Sequence, residues 1–152
     1  MRENIGLFRG KRIDNGEWIY GNLLRWGKEA YMVGMPDIVY FDVSHIFRHG
    51  AEVEPSSIGE CTGLKDKNGK LIFEGDVLSI KYELDAEPIA ERYSWFETAE
   101  VVFSTEKLAW LVVFQDSLET LYLNEYVGEG DFIEVVATIH DNPELLKGGE
   151  GE

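Results

Sequence analysis

Short apolar runs separated by turn-forming residues are the feature of this sequence that most constrains its fold. Aromatic and β-branched side chains concentrate in segments 6 to 11 residues long, with Gly, Asn, Asp and Ser between them. These segments are residues 16–26, 29–34, 37–43, 99–104, 108–114, 119–126 and 131–140. None of them carries the long apolar stripe, repeating every ~3.6 residues, that marks a surface helix. The sequence therefore predicts a mainly β protein with little helix.

Local turn and helix signals divide the predicted strands. Asn15 and Gly16 lie between two strand-like runs and predict a β-hairpin. Short helices are predicted at residues 42–50 and 142–147. In the second of these, Pro143 is expected in the first helical turn, where its missing N–H and its fixed φ angle are tolerated.

Residues 85–98 interrupt the strand pattern. The segment contains Pro88, which cannot donate a ladder hydrogen bond. We therefore expect a long excursion between two strands, or a lateral cap on the sheet. Tyr93, Trp95 and Phe96 lie in this segment, and aromatic side chains in such a position predict an exposed contact patch. The alternative is that the three rings fold back to cap the sheet.

The net charge of −15 is carried almost entirely by the later two-thirds of the chain. Residues 1–50 hold seven Lys or Arg and six Asp or Glu, a net charge of +1. The remainder holds seven of the 14 basic and 23 of the 29 acidic residues, a net charge of −16. A surface of this sign repels the phosphate backbone, so direct binding of nucleic acid is not expected. Solubility, attraction to a basic partner and mimicry of a nucleic acid are the three interpretations of this charge.

The cysteine content and the hydropathy bear on whether the protein is cytoplasmic, exported or in a membrane. A single cysteine, Cys61, cannot form an intramolecular disulfide, which agrees with a reducing environment. No window approaches the ~20 apolar residues of a membrane-spanning helix, and the first residues lack a signal-peptide run. We therefore expect a cytoplasmic protein that makes no membrane contact.

The stretch LKDKNGKLIFEGDV at residues 64–77 has three interpretations: a metal loop, a phosphate-binding loop or a turn. A calcium loop that starts at Asp66 needs glycine at its position 6 and glutamate at its position 12. Leu71 and Val77 occupy those positions instead. The glycine and lysine pattern of a phosphate-binding loop occurs nowhere in the sequence. A metal or phosphate site is therefore not expected here.

A structural turn is the interpretation that remains for this stretch. Asn68 and Gly69 tolerate positive φ angles at little cost and predict a reversal of the chain between two strands. Gly75 predicts a sharp bend just before the next strand. Asp76 is expected to accept hydrogen bonds from nearby backbone amides as the chain enters the sheet. We therefore expect these four residues to act as scaffold.

The same stretch lies within a resemblance to a known family. Residues 53–78, VEPSSIGECTGLKDKNGKLIFEGDVL, resemble the signature of the YopX family of phage and prophage proteins. Residues 7–21 and 133–146 are similar to the opening and closing segments of that family. Glu60 stands where the family pattern has Gln, and Cys61 stands where it has an aromatic residue, so the local packing is expected to differ.

The resemblance implies a mostly β fold that includes a small SH3-like barrel. Residues 61–147 would form this barrel, with an insertion at residues 85–98. Residues 1–60 would form an N-terminal β region of hairpins and sheet packed on the barrel, in one compact unit, and residues 148–152 a disordered tail. A protein of this family is expected in the cytoplasm of a bacterial host cell. The family brings no established activity and no cofactor.

Histidine and cysteine residues offer weaker candidates for chemistry. His45 and His49 are four residues apart on a predicted helix, with Asp42 three residues earlier, a spacing that some zinc sites use. Two surface histidines on a connection is the interpretation that we prefer. Cys61 has no evident histidine partner and is expected to be a small buried residue. We therefore expect no catalytic residue, no bound metal and no cofactor.

Three functions are consistent with the sequence. The first is a non-enzymatic phage or prophage accessory protein that binds another protein, or a second copy of itself. Its contact surface would combine the segment at 85–98 with the acidic segment at 116–134, through the side chains of Tyr93, Trp95, Phe96, Asp116 and Glu119. The second function is an acidic mimic of nucleic acid that inhibits a DNA-binding protein, and the third is a small enzyme with a carboxylate site.

Overall fold

The computed structural model describes residues 6–33, 50–86, 91–114, 117, 119–127 and 132–146. Eleven β-strands, one short α-helix and two 3₁₀ turns make up this part of the chain. Strands β1 to β11 are Phe8–Lys11, Trp18–Trp26, Glu29–Val33, Ala51–Val53, Gly59–Lys65, Leu71–Phe73, Asp76–Ala86, Glu91–Ser104, Ala109–Phe114, Thr120–Tyr122 and Ile133–Thr138. The helix α1 is Asn124–Val127, and the 3₁₀ turns are Pro55–Ser57 and Pro143–Leu146.

The strands form two antiparallel sheets. The strand order is β4-β3-β2-β1-β5-β6 in the first sheet and β10-β9-β8-β7-β11 in the second. The pairs β1–β5 and β7–β11 join strands that are distant in the sequence, and the other neighbours among the described strands are all consecutive. By its internal contacts the chain divides into two compact units, Met1–Gly63 and Leu64–Glu152.

The first unit begins with the hairpin predicted from Asn15 and Gly16. Lys11 at the end of β1 pairs with Trp18 at the start of β2. Gly16 has a φ angle of +72°, and the backbone N–H of Glu17 donates a hydrogen bond to Asn15 Oδ1 at 2.9 Å. The predicted hairpin is therefore confirmed, because the two strands pair on either side of the turn that these residues form.

Two strands of the first unit build its small core. Ala30 of β3 pairs with Val53 of β4, and both side chains are buried together with that of Met32. Partly buried apolar side chains pack around these three residues, namely Phe8, Ile19, Leu23 and Ile58. Full burial of a side chain such as Met32 stabilises the fold by about 1.5–3 kcal/mol.

The second unit holds the larger core. Its buried side chains come from five strands and from the residue that precedes α1, and they are Ile72, Leu78, Ile80, Ala99, Val101, Val112, Phe114, Leu123, Ile133 and Val135. Alternate residues of a strand point to the same face, so Leu78 with Ile80, and Ala99 with Val101, present one continuous apolar surface. The same alternation decides which side chains of β7 and β8 lie on this apolar face beyond the core.

The mainly β fold predicted from the sequence is confirmed, but the SH3-like barrel is not. The strands predicted at residues 99–104, 108–114 and 131–140 are present in this order after Gly75. However, β10 pairs with β9 and β11 pairs with β7, and the described residues contain no pairing between β10 and β11. A barrel needs hydrogen bonds between its first and last strands. The second sheet is therefore open over the part of the chain that the structure describes.

The segment expected as an excursion is mostly strand. β7 continues to Ala86, and residues 91–98, expected outside the sheet, are the first eight residues of β8. The expectation of a long excursion or a lateral cap over residues 85–98 is therefore wrong for the described residues of this segment, which belong to β7 and β8. Pro88 lies outside the described residues, between the last residue of β7 and the first residue of β8 in the sequence.

The two predicted helices have different outcomes. At residues 142–147 the structure has a 3₁₀ turn that starts at Pro143, and the N–H of Leu145 donates to the carbonyl of Asn142 at 3.1 Å. The helix predicted at residues 42–50 lies, except for its last residue, outside the described residues. Within the described ranges, no helix is both long enough and apolar enough to cross a membrane.

Candidate functional site

The β7–β8 hairpin extends well beyond the rest of its sheet. β9 pairs with β8 only from Ala99 onward. β11 pairs with β7 as far as Ile80, and one further hydrogen bond, from the N–H of Lys81 to the carbonyl of Phe132 at 2.8 Å, continues that register. The six outermost residue pairs of the hairpin, formed by residues 81–86 with residues 91–96, therefore make a two-stranded ribbon among the described residues, joined to the segment before β11 only at Lys81. We call these twelve residues the arm. At ~3.4 Å per residue, the arm is about 20 Å long.

The arm continues the apolar face of the sheet outward. Ile80 and Ala99 are fully buried at its base. Because side chains alternate between the two faces of a strand, Tyr82, Trp95 and Tyr93 lie on the same face as these two residues, further along the hairpin. Aromatic rings thus extend the core-side face past the point where the core ends.

Tyr82 and Trp95 form a direct cross-strand pair within the arm. Their rings stack with centroids 5.3 Å apart and planes inclined by 16°. The indole Nε1 of Trp95 donates a hydrogen bond to Glu97 Oε1 at 3.2 Å. An isolated two-stranded hairpin is only marginally stable, and a stacked aromatic pair contributes about 0.5–1.5 kcal/mol beyond its buried area. This pair therefore helps to hold the arm in a defined shape.

Three aromatic side chains of the arm are open to solvent. Tyr93 is 52% exposed, Trp95 is 43% exposed and Phe96 is 66% exposed. Phe96 lies on the opposite face from the other two and opposite Lys81, whose ammonium group pairs with Glu83. Aromatic residues are enriched in protein interfaces and in their energetic centres. Both faces of the arm consequently offer contact area of the type that interfaces use.

One of the two acidic residues that the sequence associates with this patch can be placed beside the arm's base. Phe114 at the end of β9 pairs with Ala99, where the arm leaves the sheet. The backbone N–H of Phe114 donates to the carbonyl of Glu119 at 3.0 Å, and the Glu119 side chain is exposed. Glu119 therefore lies at the end of the sheet from which the arm projects. Asp116 lies outside the described residues.

A buried carboxylate organises the turn between β5 and β6. Asp66 Oδ1 accepts hydrogen bonds from the backbone N–H groups of Asn68 and Lys70, both at 2.9 Å. The N–H of Gly69 donates to the backbone carbonyl of Asp66 at 3.0 Å, and Gly69 has a φ angle of +79°. The structure therefore has a tight turn at the positions where the sequence suggested either a turn or a metal loop.

The same carboxylate joins this turn to the last strand of the sheet. Asp66 Oδ2 accepts a hydrogen bond from the N–H of Val135 at 3.0 Å. Beside it, the N–H of Lys67 donates to the carbonyl of Ile133 at 3.0 Å, and the Lys67 ammonium pairs with Glu134 at 2.7 Å. Burial raises the pKa of Asp66, but the hydrogen bonds from Val135 and from the turn outweigh it, so the pKa lies below its ordinary value of 3.8.

The second predicted bend leads the chain into β7. Gly75 has a φ angle of +80°, its N–H donates to the carbonyl of Val101 at 2.9 Å, and its own carbonyl accepts from Ile139 at 2.9 Å. Asp76 is fully buried, and its Oδ2 accepts a hydrogen bond from the N–H of Phe73 at 2.8 Å. These contacts are of the kind that position strands relative to one another.

The remaining candidates for chemistry have little support. His45, His49 and Asp42 lie outside the described residues. Cys61 is buried in β5, where its Sγ accepts a hydrogen bond from the N–H of Gly63 at 3.4 Å. Among the residues that the structure describes, no three His, Cys, Asp or Glu side chains are grouped so that they could hold a metal ion.

The arm is the feature that sequence reasoning missed, although a signal for it is present. Tyr93 and Trp95 follow the same two-residue period as Ala99 and Val101, interrupted only by Glu97, so the strand pattern can be traced into the segment. The excursion was predicted because Pro88 cannot donate a ladder hydrogen bond. The period of the aromatic residues, extended from the neighbouring buried positions, would have identified a long hairpin.

Comparison with known proteins gives a match to a protein family. The family model described as "YopX protein" matches residues 7–147, which is nearly the whole chain. The matched range includes both the turn organised by Asp66 and the complete arm. No curated protein matches the chain.

Proposed function

The chain belongs to the YopX family, and we propose that it is a non-enzymatic phage or prophage accessory protein that binds another protein through the arm. Glu119 and Asp116 would extend the contact surface at the base of the arm. The observation that carries the proposal is the exposure of Tyr93, Trp95 and Phe96 on a regular two-stranded ribbon.

The geometry of the arm suits a binding element. Each Tyr, Phe or Trp side chain can bury roughly 150–250 Å² when it is covered, so three exposed rings represent a large reserve of contact area. The ladder between β7 and β8 continues to the last described pair, Ala86 with Glu91, which limits the freedom of the backbone. Binding through the arm would therefore cost less conformational entropy than binding through an irregular loop.

A paired capture and oligomerisation experiment tests this proposal. The wild-type chain and a triple variant, Y93S/W95S/F96S, are immobilised and exposed to bacterial host lysate, and the captured proteins are identified by mass spectrometry. Light scattering after size-exclusion chromatography measures self-association in parallel. We expect a specific partner, or an oligomer, that the triple variant loses.

A matched control separates the arm from exposed aromatic surface in general. Trp26, at the β2–β3 turn of the other unit, is 71% exposed. The W26S variant should keep the partner or the oligomer that the triple variant loses. If the wild type and the triple variant give the same proteins and the same mass, the arm is not a binding element.

The alternative of nucleic-acid mimicry makes a different prediction in the same experiment. A mimic binds the DNA-binding surface of a basic protein, so an excess of DNA should displace the captured protein, and the triple variant should retain it. Capture that depends on the arm and resists DNA competition supports the arm over mimicry.

A further inference from the structure

The outer edge of β8 along the arm has no strand paired to it in the part of the chain that the structure describes. The N–H of Gly75 donates to the carbonyl of Val101, so the backbone groups of Val101 face β7. Backbone groups alternate in direction along an antiparallel strand, so those of Ser94 and Phe96 face away from β7. Among the described residues, no strand pairs with β8 on this side before Ala99. An open edge of this kind can accept an additional strand from another protein.

The core-side face beside this edge combines an aromatic ring with a carboxylate. Tyr82 belongs to β7, so its stacked ring covers the side of the Trp95 indole that is turned toward β7. The other side of the indole is turned toward the open edge, and Glu97 lies within hydrogen-bonding distance of the indole nitrogen. A guanidinium group can stack on such a ring and pair with such a carboxylate at the same time.

The charge of the unit that carries the arm selects between possible occupants. Leu64–Glu152 contains seven basic and 20 acidic residues, a net charge of −13. A second copy of this chain, with its own charge of −15, would meet strong repulsion at this surface. A nucleic acid would be repelled for the same reason. A cationic polypeptide is the occupant whose charge is complementary.

We propose that the open edge of β8 in the arm binds an extended, arginine-bearing segment of a partner protein. The segment would pair with β8 at Ser94 and Phe96 and place alternate arginine side chains over Trp95 and Tyr93 and against Glu97. This inference rests on the proposed function and adds to it the conformation and the chemistry of the partner. Alternation matters, because only every second side chain of an added strand reaches the core-side face.

Defined peptides test both the charge and the conformation of the segment. The probes are three ten-residue peptides with blocked ends. In the alternating peptide, arginine and threonine occupy successive positions in turn. The block peptide has the same composition, but its five arginines precede its five threonines. The neutral peptide is the alternating peptide with glutamine in place of every arginine.

Fluorescence anisotropy of the labelled peptides measures Kd at two salt concentrations. We expect the alternating peptide to bind about tenfold more tightly than the block peptide, and the neutral peptide to bind far more weakly than either. Equal binding of the alternating and block peptides, or no binding of either, would overturn the inference.

Three variants locate the binding site. W95A should weaken the binding of the alternating peptide roughly three- to thirtyfold through loss of the cation–π contact. E97Q should weaken the binding and reduce its salt dependence, while its amide oxygen can still accept the indole hydrogen bond. S94P removes an N–H that faces the open edge and should abolish the advantage of the alternating peptide over the block peptide. Urea unfolding of each variant shows that its fold is retained, and W26A should bind as the wild type does.

The outcomes separate this inference from the proposed function. If host capture depends on the arm but the alternating peptide does not bind, the proposed function stands and the arginine-bearing segment is excluded. A dimer that W95A dissociates, without binding of the alternating peptide, would place a second copy on the edge and also overturn the inference. If neither capture, self-association nor peptide binding depends on the arm, both proposals fall.

Discussion

Asp66 and Val135 are 69 positions apart in the sequence, yet the carboxylate of the first accepts the backbone N–H of the second at 3.0 Å. The other carboxylate oxygen of Asp66 holds the turn that contains Asn68. One buried side chain therefore joins the segment at residues 53–78 to the segment at residues 133–146. These are two of the three segments in which the sequence resembles the YopX family, so their joint presence has a structural explanation.

Replacement of Asp66 by alanine should destabilise the protein by about 2–4 kcal/mol. Three backbone N–H groups, of Asn68, Lys70 and Val135, would lose their acceptor at a largely buried site. Urea unfolding followed by circular dichroism measures the change in free energy. As a control, D14A removes an exposed carboxylate that pairs with Arg12 and should leave stability almost unchanged. Equal effects of the two substitutions would contradict the structural role assigned to Asp66.

The stabilising effect of Asp66 should depend on pH in a defined direction. Its pKa in the folded protein lies below the ordinary value of 3.8, so folding favours the ionised form. The contribution is therefore complete well above pH 3.8, and it is lost as the pH falls through that value and then through the lower folded-state pKa. Unfolding free energies of the wild type and D66N, measured from pH 7 to pH 3, should converge as the pH falls. A gap that stays constant over this range would exclude the ionised carboxylate as its source.

Glu100 should have the opposite effect on stability. Burial raises its pKa, and the nearby charge of Glu74 raises it further. A carboxyl group with a raised folded-state pKa opposes folding when it is ionised, and this penalty is relieved as the pH falls through the raised pKa. E100Q should therefore raise the Tm at pH 7, and the gain should diminish in acid. The exposed Glu106 gives the matched control, since E106Q should leave the Tm at pH 7 almost unchanged.

Substitution of Gly75 and Gly69 separates two reasons why a position requires glycine: a positive φ angle, and a lack of space for a Cβ atom. Both have positive φ angles, +80° and +79°, which cost about 1–2 kcal/mol for a residue with a Cβ. A Cβ at Gly75 would also lie 3.3 Å from His140 Nε2, whereas one at Gly69 would meet no atom within 4 Å. We therefore expect G75A to destabilise the protein by about 2–3 kcal/mol and G69A by about 1 kcal/mol. Equal losses in urea unfolding would show that the contact with His140 is relaxed without cost.

The interaction free energy of the stacked pair in the arm should be measurable in variants that keep the fold. A double-mutant cycle with Y82A and W95A should give a coupling free energy of about 0.5–1.5 kcal/mol. W95A alone should leave the cooperative transition intact, because Trp95 lies outside the buried core of its unit. In hydrogen exchange, amides of residues 92–95 should exchange faster than that of Val101. A coupling near zero would mean that the stacking does not contribute to the arm in solution.

Several elements could be predicted because their cause is local. Asn15 with Gly16, and Asn68 with Gly69, determine turns through the φ angles that they tolerate, and Pro143 marks the start of a 3₁₀ turn. The strands of the second unit follow the two-residue period of their apolar side chains. In each case the decisive interaction lies within a few residues, so the local sequence contains the required information.

Other features depended on pairings that no local pattern specifies. Over the described residues, the second sheet is open because β10 pairs only with β9 and β11 only with β7, so the SH3-like barrel that the family resemblance implied is not confirmed. The candidate site was predicted in part: Tyr93, Trp95 and Phe96 were named from their composition and position. That they stand on a regular ribbon, with Trp95 stacked on Tyr82, depended on the absence of a third strand beside residues 91–96 among the described residues.

By itself, the sequence determined the β class, the turns and the sign of the charge, because side-chain period, backbone preference and composition act over short distances. Only the tertiary structure decided where the sheet ends, which carboxylate joins distant segments and which aromatic rings stay in solvent. Those outcomes depend on which strands, far apart in the chain, pair with one another. The entropy lost when the loops between them close depends on the whole chain, so it cannot be estimated from any single segment.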